Sequence, residues 1–316
     1  MSKNIIFANY FEENLISIKK IIKLNLKNRN VNVENLLDNL APTEGKMVRA
    51  ILVLIGASFY KTDKEKSLHI AAAVELLHLA TLVHDDIIDD SNIRRGKETI
   101  NSAYGAKSAL FLGDYLFAEA YVLFSKFASR SSITNTSNTI KFICSSEIDQ
   151  FSSKYQLNGK VLNYFKRING KCASLFSLSL CLAATDEQMT EALAKKLRRI
   201  GFYIGMAFQL MDDILDITSP KNILGKPTGN DIAEGIYTLP VILEFRNKNE
   251  KLLNAIKDNN FSLSLDILKT SPGFEKTKEI AKKYSFKALS LIETLPDIEE
   301  KFILKNIVQV LVVRDF

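Results

Sequence analysis

Three features of the sequence predict an all-α fold. Apolar residues recur at intervals of three and four over most of the chain, the period of a helix with one buried face. Only six prolines punctuate 316 residues, so long uninterrupted helices are permitted. No series of segments alternates apolar and polar residues as half-buried strands do.

Taken in order, Ile5, Phe7, Phe11, Leu15, Ile18, Ile22 and Leu26 mark an amphipathic first helix. Val48–Tyr60 is apolar on most sides, which predicts a buried helix. Residues 67–90 read as one long helix rich in Ala and Leu. Residues 107–127 read as another, with aromatics at Phe111, Tyr115, Phe117, Tyr121 and Phe124. Residues 131–138 are rich in Ser, Thr and Asn and read as a loop. Helices are predicted over 161–182 and 187–218, then shorter ones separated by polar breaks at 247–250 and 258–260. Pro220, Gly225, Pro227 and Gly229 argue against regular helix over 219–231, a candidate lid because it follows an acidic cluster. The apolar tail, 302–313, is expected in the core. No shift in composition marks a boundary, so a single domain over residues 1–316 is expected.

The chain is 47% apolar and 25% charged, ordinary for a soluble globular protein with ample core. Its formal charge of +6 is spread without a dense basic block or nucleic-acid motif. That distribution argues against nucleic acid and fits anionic small substrates. Cys144, Cys172 and Cys181 form no CxxC pair and no metal spacing, so reduced thiols and a cytoplasmic location are expected. The apolar stretches 50–60 and 173–185 fall short of the ~20 residues that span a bilayer, and neither a leader nor a transmembrane segment is expected.

Chemistry concentrates in two similar acidic motifs. DDIID holds Asp85, Asp86 and Asp89; DDILD holds Asp212, Asp213 and Asp216. Each closes an apolar helical run. Residues four apart share a helix face, about 6 Å apart along the axis. Carboxylates so placed repel unless a cation lies between them, and oxygen-only ligands suit Mg²⁺. One such motif is as well explained by a solvated acidic helix end. Two in matching context point to a metal site. A phosphate ligand would also need cations. Arg94 and Arg95 follow the first motif, Lys226 follows the second, Lys171 opens another apolar segment, and Lys46 and Arg49 flank the start of the helix at Val48. Each alone reads as a surface charge.

The segments GKMVRA (45–50), ELLHLATLVHDDIIDDSNIRRG (75–96), LGDYL (112–116), GKCASLF (170–176), FQLMDDILD (208–216) and GKPTGND (225–231) together resemble the trans-isoprenyl diphosphate synthase, or polyprenyl synthetase, family over nearly the whole chain. The resemblance implies a bundle of mostly antiparallel helices around a central cavity, usually a homodimer, with the two motifs facing across its mouth. It implies that Asp85, Asp89 and Asp212 ligate Mg²⁺, three ions in all, that grip an allylic diphosphate. Asp86, Asp213 and Asp216 support them through waters and outer hydrogen bonds. Arg94, Lys171 and Lys226 contact the same diphosphate; Lys46, Arg49, His78 and Arg95 hold isopentenyl diphosphate. From its spacing alone, His78 is a satisfied core histidine. Gln209 and the backbone of the Lys171 helix are candidates to stabilise an allylic cation.

Two positions depart from the family pattern. Cys172 stands where Thr is usual, a weaker hydrogen-bond partner. Ile236 stands where Lys is usual, so one auxiliary phosphate contact is missing. Ala80 and Thr81, about one turn before Asp85, are small where short-chain family members often carry a bulky aromatic. Leu77 lies a turn deeper. An open tunnel and a product of thirty carbons or more, suited to quinone side chains, are therefore expected. Phe111, Phe117 or Tyr121 could form the floor or serve as core aromatics. A short-chain geranylgeranyl or farnesyl diphosphate synthase, and a heteromer with a small partner subunit, are the alternatives. A terpene cyclase fits less well, because it would not need the Lys46, Arg49 and Arg95 set.

Overall fold

The computed structural model describes residues 10–40, 45–94, 96–183, 190–218 and 229–312. They gather into two compact units. The first takes the described residues of Met1–Thr136, Leu178–Leu197 and Pro296–Leu304; the second takes those of Ser137–Ser177, Arg198–Leu295 and Lys305–Phe316.

The first unit opens with α1 (Glu12–Leu26), α2 (Val31–Asn39), α3 (Val48–Tyr60) and α4 (Lys64–Ile88). A two-residue hairpin follows, β1 (Ile93–Arg94) and β2 (Lys97–Glu98), pairing Ile93 with Glu98 and Arg94 with Lys97. It is the one strand pairing among the described residues, and it lies outside what periodicity predicted. α5 (Ile100–Tyr104) and α6 (Ala106–Phe127) complete this stretch.

α4 is the axis of the first unit, packed by α1, α3 and α6. The Asp63 side chain accepts the Lys66 N–H at 2.9 Å and starts the helix. Ile70, Ala71, Val74, Leu76, Leu77 and Ala80 are fully buried along it. α6 approaches so closely that a Cβ on Gly113 would stand 2.1 Å from His84 Nε2. A larger residue there would have to displace the His84 ring. α4 and α6 are also long and apolar enough, by length and composition, to cross a membrane. The sequence reading, which measured shorter stretches, missed this. In α4 the apolar run is largely spent on helix packing.

The remaining helices are α7 (Arg130–Ser152), α8 (Val161–Ile168), α9 (Ser174–Ser179), α10 (Glu191–Thr218), α11 (Asn230–Ala233), α12 (Leu239–Arg246), α13 (Glu250–Lys257), α14 (Phe261–Lys269), α15 (Pro272–Glu293) and α16 (Glu299–Val312). The polar breaks at 247–250 and 258–260 separate α12, α13 and α14 as predicted. In α16, Ile303, Leu304, Ile307, Val308 and Leu311 are buried while Phe302 is exposed.

The predicted loop at 131–138 is instead the start of α7. Its hydroxyls turn inward on the helix rather than competing with it. Thr134 Oγ1 donates to Arg130 O and Thr136 Oγ1 to Ser132 O, while buried Ser132 Oγ donates to Leu182 O at 3.2 Å. Burial of Ser132 and Thr136 overrides their weak helix propensity.

In the second unit α10 lies antiparallel to the segment from Tyr164 to Phe176. A Cβ on Gly201 would stand 2.5 Å from Phe176 O, and one on Gly205 2.5 Å from Ala173 Cα. The backbones meet there without side chains between them. Between α8 and α9 the helix widens into a π turn, Asn169–Ala173, as Ser174 N–H reaches back to Asn169 O. Elsewhere in this unit, buried Glu244 on α12 accepts Gly273 N–H at 2.8 Å, at the start of α15, and Asn249 Nδ2 at 2.7 Å. One carboxylate thus satisfies donors from two segments.

Two stability outcomes follow. Gly205→Val forces a branched side chain onto Ala173 and should cost about 3 kcal/mol or more, seen as a lower melting temperature. Glu244→Ala orphans the Gly273 N–H and should cost about 1–3 kcal/mol. An unchanged melting temperature in either variant contradicts the packing described.

Candidate active site

The first motif ends α4. Asp85 and Asp89 share its last turn, with Asp89 N–H bonded to Asp85 O at 2.9 Å. The helix stops because Asp90 takes a left-handed φ of 45°, and Ser91 N–H closes onto Asp86 O at 2.9 Å. That turn feeds the hairpin, which returns Arg94 to the motif. Arg94 Nε and Nη2 each reach Asp86 Oδ1 at 2.8 Å. Asp86 is 6% exposed, so its charge is held by this fork rather than by solvent. Asp85 and Asp89 are half-buried. Arg94, expected on a diphosphate, is bound to the second aspartate of the motif instead. Beside this pair lies a small pocket of about 70 Å³, whose walls include Leu79, Leu82, Val83 and Thr99.

On the same helix, His78 lies seven residues before Asp85. Its Nε2 is 2.9 Å from Arg49 Nη1 on α3. Glu75 Oε1 accepts Ala50 N–H at 2.9 Å and so fixes the start of α3, where Arg49 sits. Arg49 and His78 are therefore brought together, while Lys46 lies exposed just ahead of α3. Arg95 lies outside the described residues, as do Lys226 and the lid segment up to residue 228.

The second motif lies near the end of α10. Asp212 is exposed, Asp216 half-buried and Asp213 buried. Gln209 Nε2 donates to Asp213 Oδ1 at 2.9 Å, and the Tyr164 hydroxyl donates to Oδ2 at 2.5 Å. Gln209, expected to face an allylic cation, is here bound to Asp213. Asp216 accepts backbone N–H groups from residues 229–231. Burial pushes Asp213 up to about 7 and Asp216 up to about 6, against the hydrogen bonds each accepts. Asp231 is raised well above the usual carboxylate range by burial and by the charge of Asp216. These groups crowd one another's negative charge, the condition a divalent cation relieves.

Lys171 sits in the π turn. Gly170 allows that turn to press on α7, where a Cβ would stand 1.8 Å from Ser146 Oγ. The next residue of α7, Glu147, therefore meets Lys171 at 3.0 Å. Cys172 is buried in the same turn, and Ile236 is buried too. Ala80 is fully buried, and Thr81 satisfies its hydroxyl on His78 O at 2.7 Å. Phe111 is 70% exposed and does not floor a tunnel within its unit; Phe117 packs on His84 and Tyr121 on Phe124.

Among the described residues no three carboxylate, imidazole or thiol groups already converge as a preformed metal cluster. The donor set nevertheless fits a hard cation, since all the candidate groups are carboxylates. Sequence reasoning missed Glu75, Glu147 and Tyr164. A signal for the last existed: Gly201, Gly205, Gln209 and Asp213 recur every four residues, one stripe of α10.

The polyprenyl synthetase family model matches residues 30–269. The chain is 34% identical over 283 residues, 88% of each chain, to heptaprenyl diphosphate synthase component 2 of Geobacillus stearothermophilus. It is similar to the heptaprenyl diphosphate synthase of Staphylococcus aureus, with a TM-score of 0.89 and 32% identity over 97% of this chain and 99% of that one. It is also similar to a polyprenyl synthase from Caulobacter crescentus CB15 complexed with calcium and isoprenyl diphosphate, with a TM-score of 0.89 and 27% identity over 98% and 97% of the two chains. With its motifs in place on helical scaffolding and the family model matched over most of its length, the chain belongs to the polyprenyl synthetase family.

Proposed function

We propose that this chain is a trans-polyprenyl diphosphate synthase. It condenses isopentenyl diphosphate head-to-tail with an allylic diphosphate and releases inorganic diphosphate at each addition. The observation that carries the reading is two full aspartate motifs accompanied by basic side chains: Arg94 on Asp86 at the first, Lys171 on Glu147 in the unit that holds the second, and Arg49 with His78 between α3 and α4.

Asp85, Asp89 and Asp212 are the proposed Mg²⁺ ligands, three ions being the family expectation. Bound Mg²⁺ would neutralise the diphosphate and stabilise its departure. Lys171 would leave Glu147, and Arg94 would leave Asp86, to meet the allylic diphosphate; Lys226 would join them. Lys46, Arg49, His78 and Arg95 would bind isopentenyl diphosphate. The allylic C–O bond breaks, the isopentenyl double bond attacks the resulting cation, and a proton is lost to the departing diphosphate. No side-chain nucleophile is needed. The apolar helix faces keep water from the cation.

A long product, C30 or beyond, is part of the proposal. It rests on Ala80 and Thr81, which place no bulk one turn before Asp85, and on the heptaprenyl synthases among the relatives. One catalytic domain acting as a homodimer in the cytoplasm completes it; three free cysteines support a reducing compartment. No transmembrane segment is included, in keeping with α4 packing against α1, α3 and α6. A second reading, favoured by the "component 2" designation of one relative, is a chain that needs a small partner.

The test is a product assay with purified protein, Mg²⁺, farnesyl diphosphate and labelled isopentenyl diphosphate, sizing the dephosphorylated alcohols. Alcohols of thirty carbons or more are expected. A stop at twenty identifies a short-chain enzyme, and no incorporation by folded protein identifies a missing partner or a non-catalytic role. In the active enzyme Asp85→Asn and Asp212→Asn should each lower kcat/KM by more than about a hundredfold. Retention of most activity would remove those residues from the metal site.

A further inference from the structure

The second aspartate of the α10 motif is not arranged to face a ligand. Both Asp213 oxygens are taken by internal donors, Oδ1 by Gln209 at 2.9 Å and Oδ2 by Tyr164 at 2.5 Å. Tyr164 and Asp213 are 2% and 3% exposed. The Tyr164 ring is itself held: Arg167 Cζ stands 5.6 Å from its centroid, and Arg167 Nη2 donates to Tyr237 O at 2.9 Å. Tyr164 cannot swing away without disturbing these contacts.

We propose that Tyr164 is a positioning residue for the second aspartate motif. By anchoring Asp213 in the interior, it fixes the rotation of α10 about its axis and hence the direction of Asp212 and Asp216. The geometry follows from helix pitch. Successive residues turn by about 100°, so Asp212 and Asp216 diverge by only about 40° while Asp213 points well away from Asp212. Asp216 falls between the two, about 60° from Asp213, so holding Asp213 inward turns Asp212 to the surface and leaves Asp216 half-buried at its edge. Gly201 and Gly205 make the reach possible by bringing α10 onto the backbone at Phe176 and Ala173, on the same stripe as Gln209 and Asp213. The same contacts tie α10 to the segment carrying Lys171, seven residues beyond Tyr164. One hydroxyl thus governs the register between a diphosphate-binding cation and the metal-bearing carboxylates. The inference rests on the proposed function.

Tyr164→Phe keeps the ring and removes the hydroxyl. It is compared with wild type in two Mg²⁺ titrations, one of prenyl transfer and one of the melting temperature in the presence of inorganic diphosphate. The half-saturating Mg²⁺ concentration should rise about 10–100-fold in both, with kcat at saturating Mg²⁺ within a few-fold of wild type. A purely structural role would lower the metal-free melting temperature and leave both titrations in place, and that result overturns the proposal. Should Tyr164→Phe fail to fold because the Asp213 charge is stranded, Asp213→Asn is compared with Asp213→Asn/Tyr164→Phe. The two should share one Mg²⁺ half-saturation, because Tyr164 acts only through Asp213. A double variant several-fold worse overturns the proposal. A wild-type chain that incorporates no isopentenyl diphosphate overturns the functional reading instead, and the melting-temperature titration still decides the role of Tyr164.

Discussion

A carboxylate at the buried end of an apolar helix must find a donor, and that requirement organises both units. An ionised group cut off from water is tolerated only when hydrogen-bonded or paired. Asp86 meets the requirement with Arg94, Asp213 with Tyr164 and Gln209, and Asp216 with backbone N–H groups of 229–231. Each solution recruits a separate stretch of chain and fixes where that stretch lies. The hairpin after α4 brings Arg94 back to Asp86. Thr99 Oγ1, donating to Ser91 O at 2.6 Å, and Thr99 N–H, donating to Asn92 O at 3.0 Å, hold the same return.

The partners would not reach without close backbone approach. Two long helices carry the motifs, and in each a neighbouring surface comes in where glycine removes the side chain: Gly113 under His84, Gly201 and Gly205 against the Lys171 segment. Close approach shortens the distance that a tyrosine or glutamine must span. It also leaves little freedom for the helices to rotate, so the polar contacts and the packing reinforce one another.

Much of this was legible in the sequence. The helical period gave α3 with its observed bounds, and α4 and α6 to within a few residues, since long amphipathic or buried stretches leave little ambiguity. The motifs and most of their basic partners were legible as a constellation, and Arg49 and His78 do meet. The first turns of α7 were not. Ser and Thr are indifferent to helix on their own, and only burial of Ser132 and Thr136 decides the matter. The Tyr164–Asp213 bond was hidden because it joins residues 49 apart, and periodicity reports one helix at a time. The ligand-free partners of Lys171 and Arg94 were hidden for another reason. A resemblance describes whom a cation meets when substrate is bound, whereas Glu147 and Asp86 are what it meets otherwise.

Placed side by side, the two motifs divide their labour in the same way. In each, the second aspartate is buried, at 6% for Asp86 and 3% for Asp213, and is bound by donors from its own unit. In each, the first aspartate is less buried than the second, half-buried at Asp85 and exposed at Asp212. Helix geometry makes this division natural: positions one and five share a face, and position two turns about 100° from position one. The paired aspartates are therefore not simply two ligands. One is an anchor whose internal bonds hold the helix against rotation, and the other projects from the face so defined. The spacing of adjacent Cα atoms is fixed by the backbone, so anchoring the inner carboxylate at Asp86 or Asp213 fixes the direction in which the outer side chain leaves the helix. On this view the repeated acidic pair is a mechanical device as well as a source of charge. Its inner member depends on partners, Arg94 and Tyr164, that lie outside either motif.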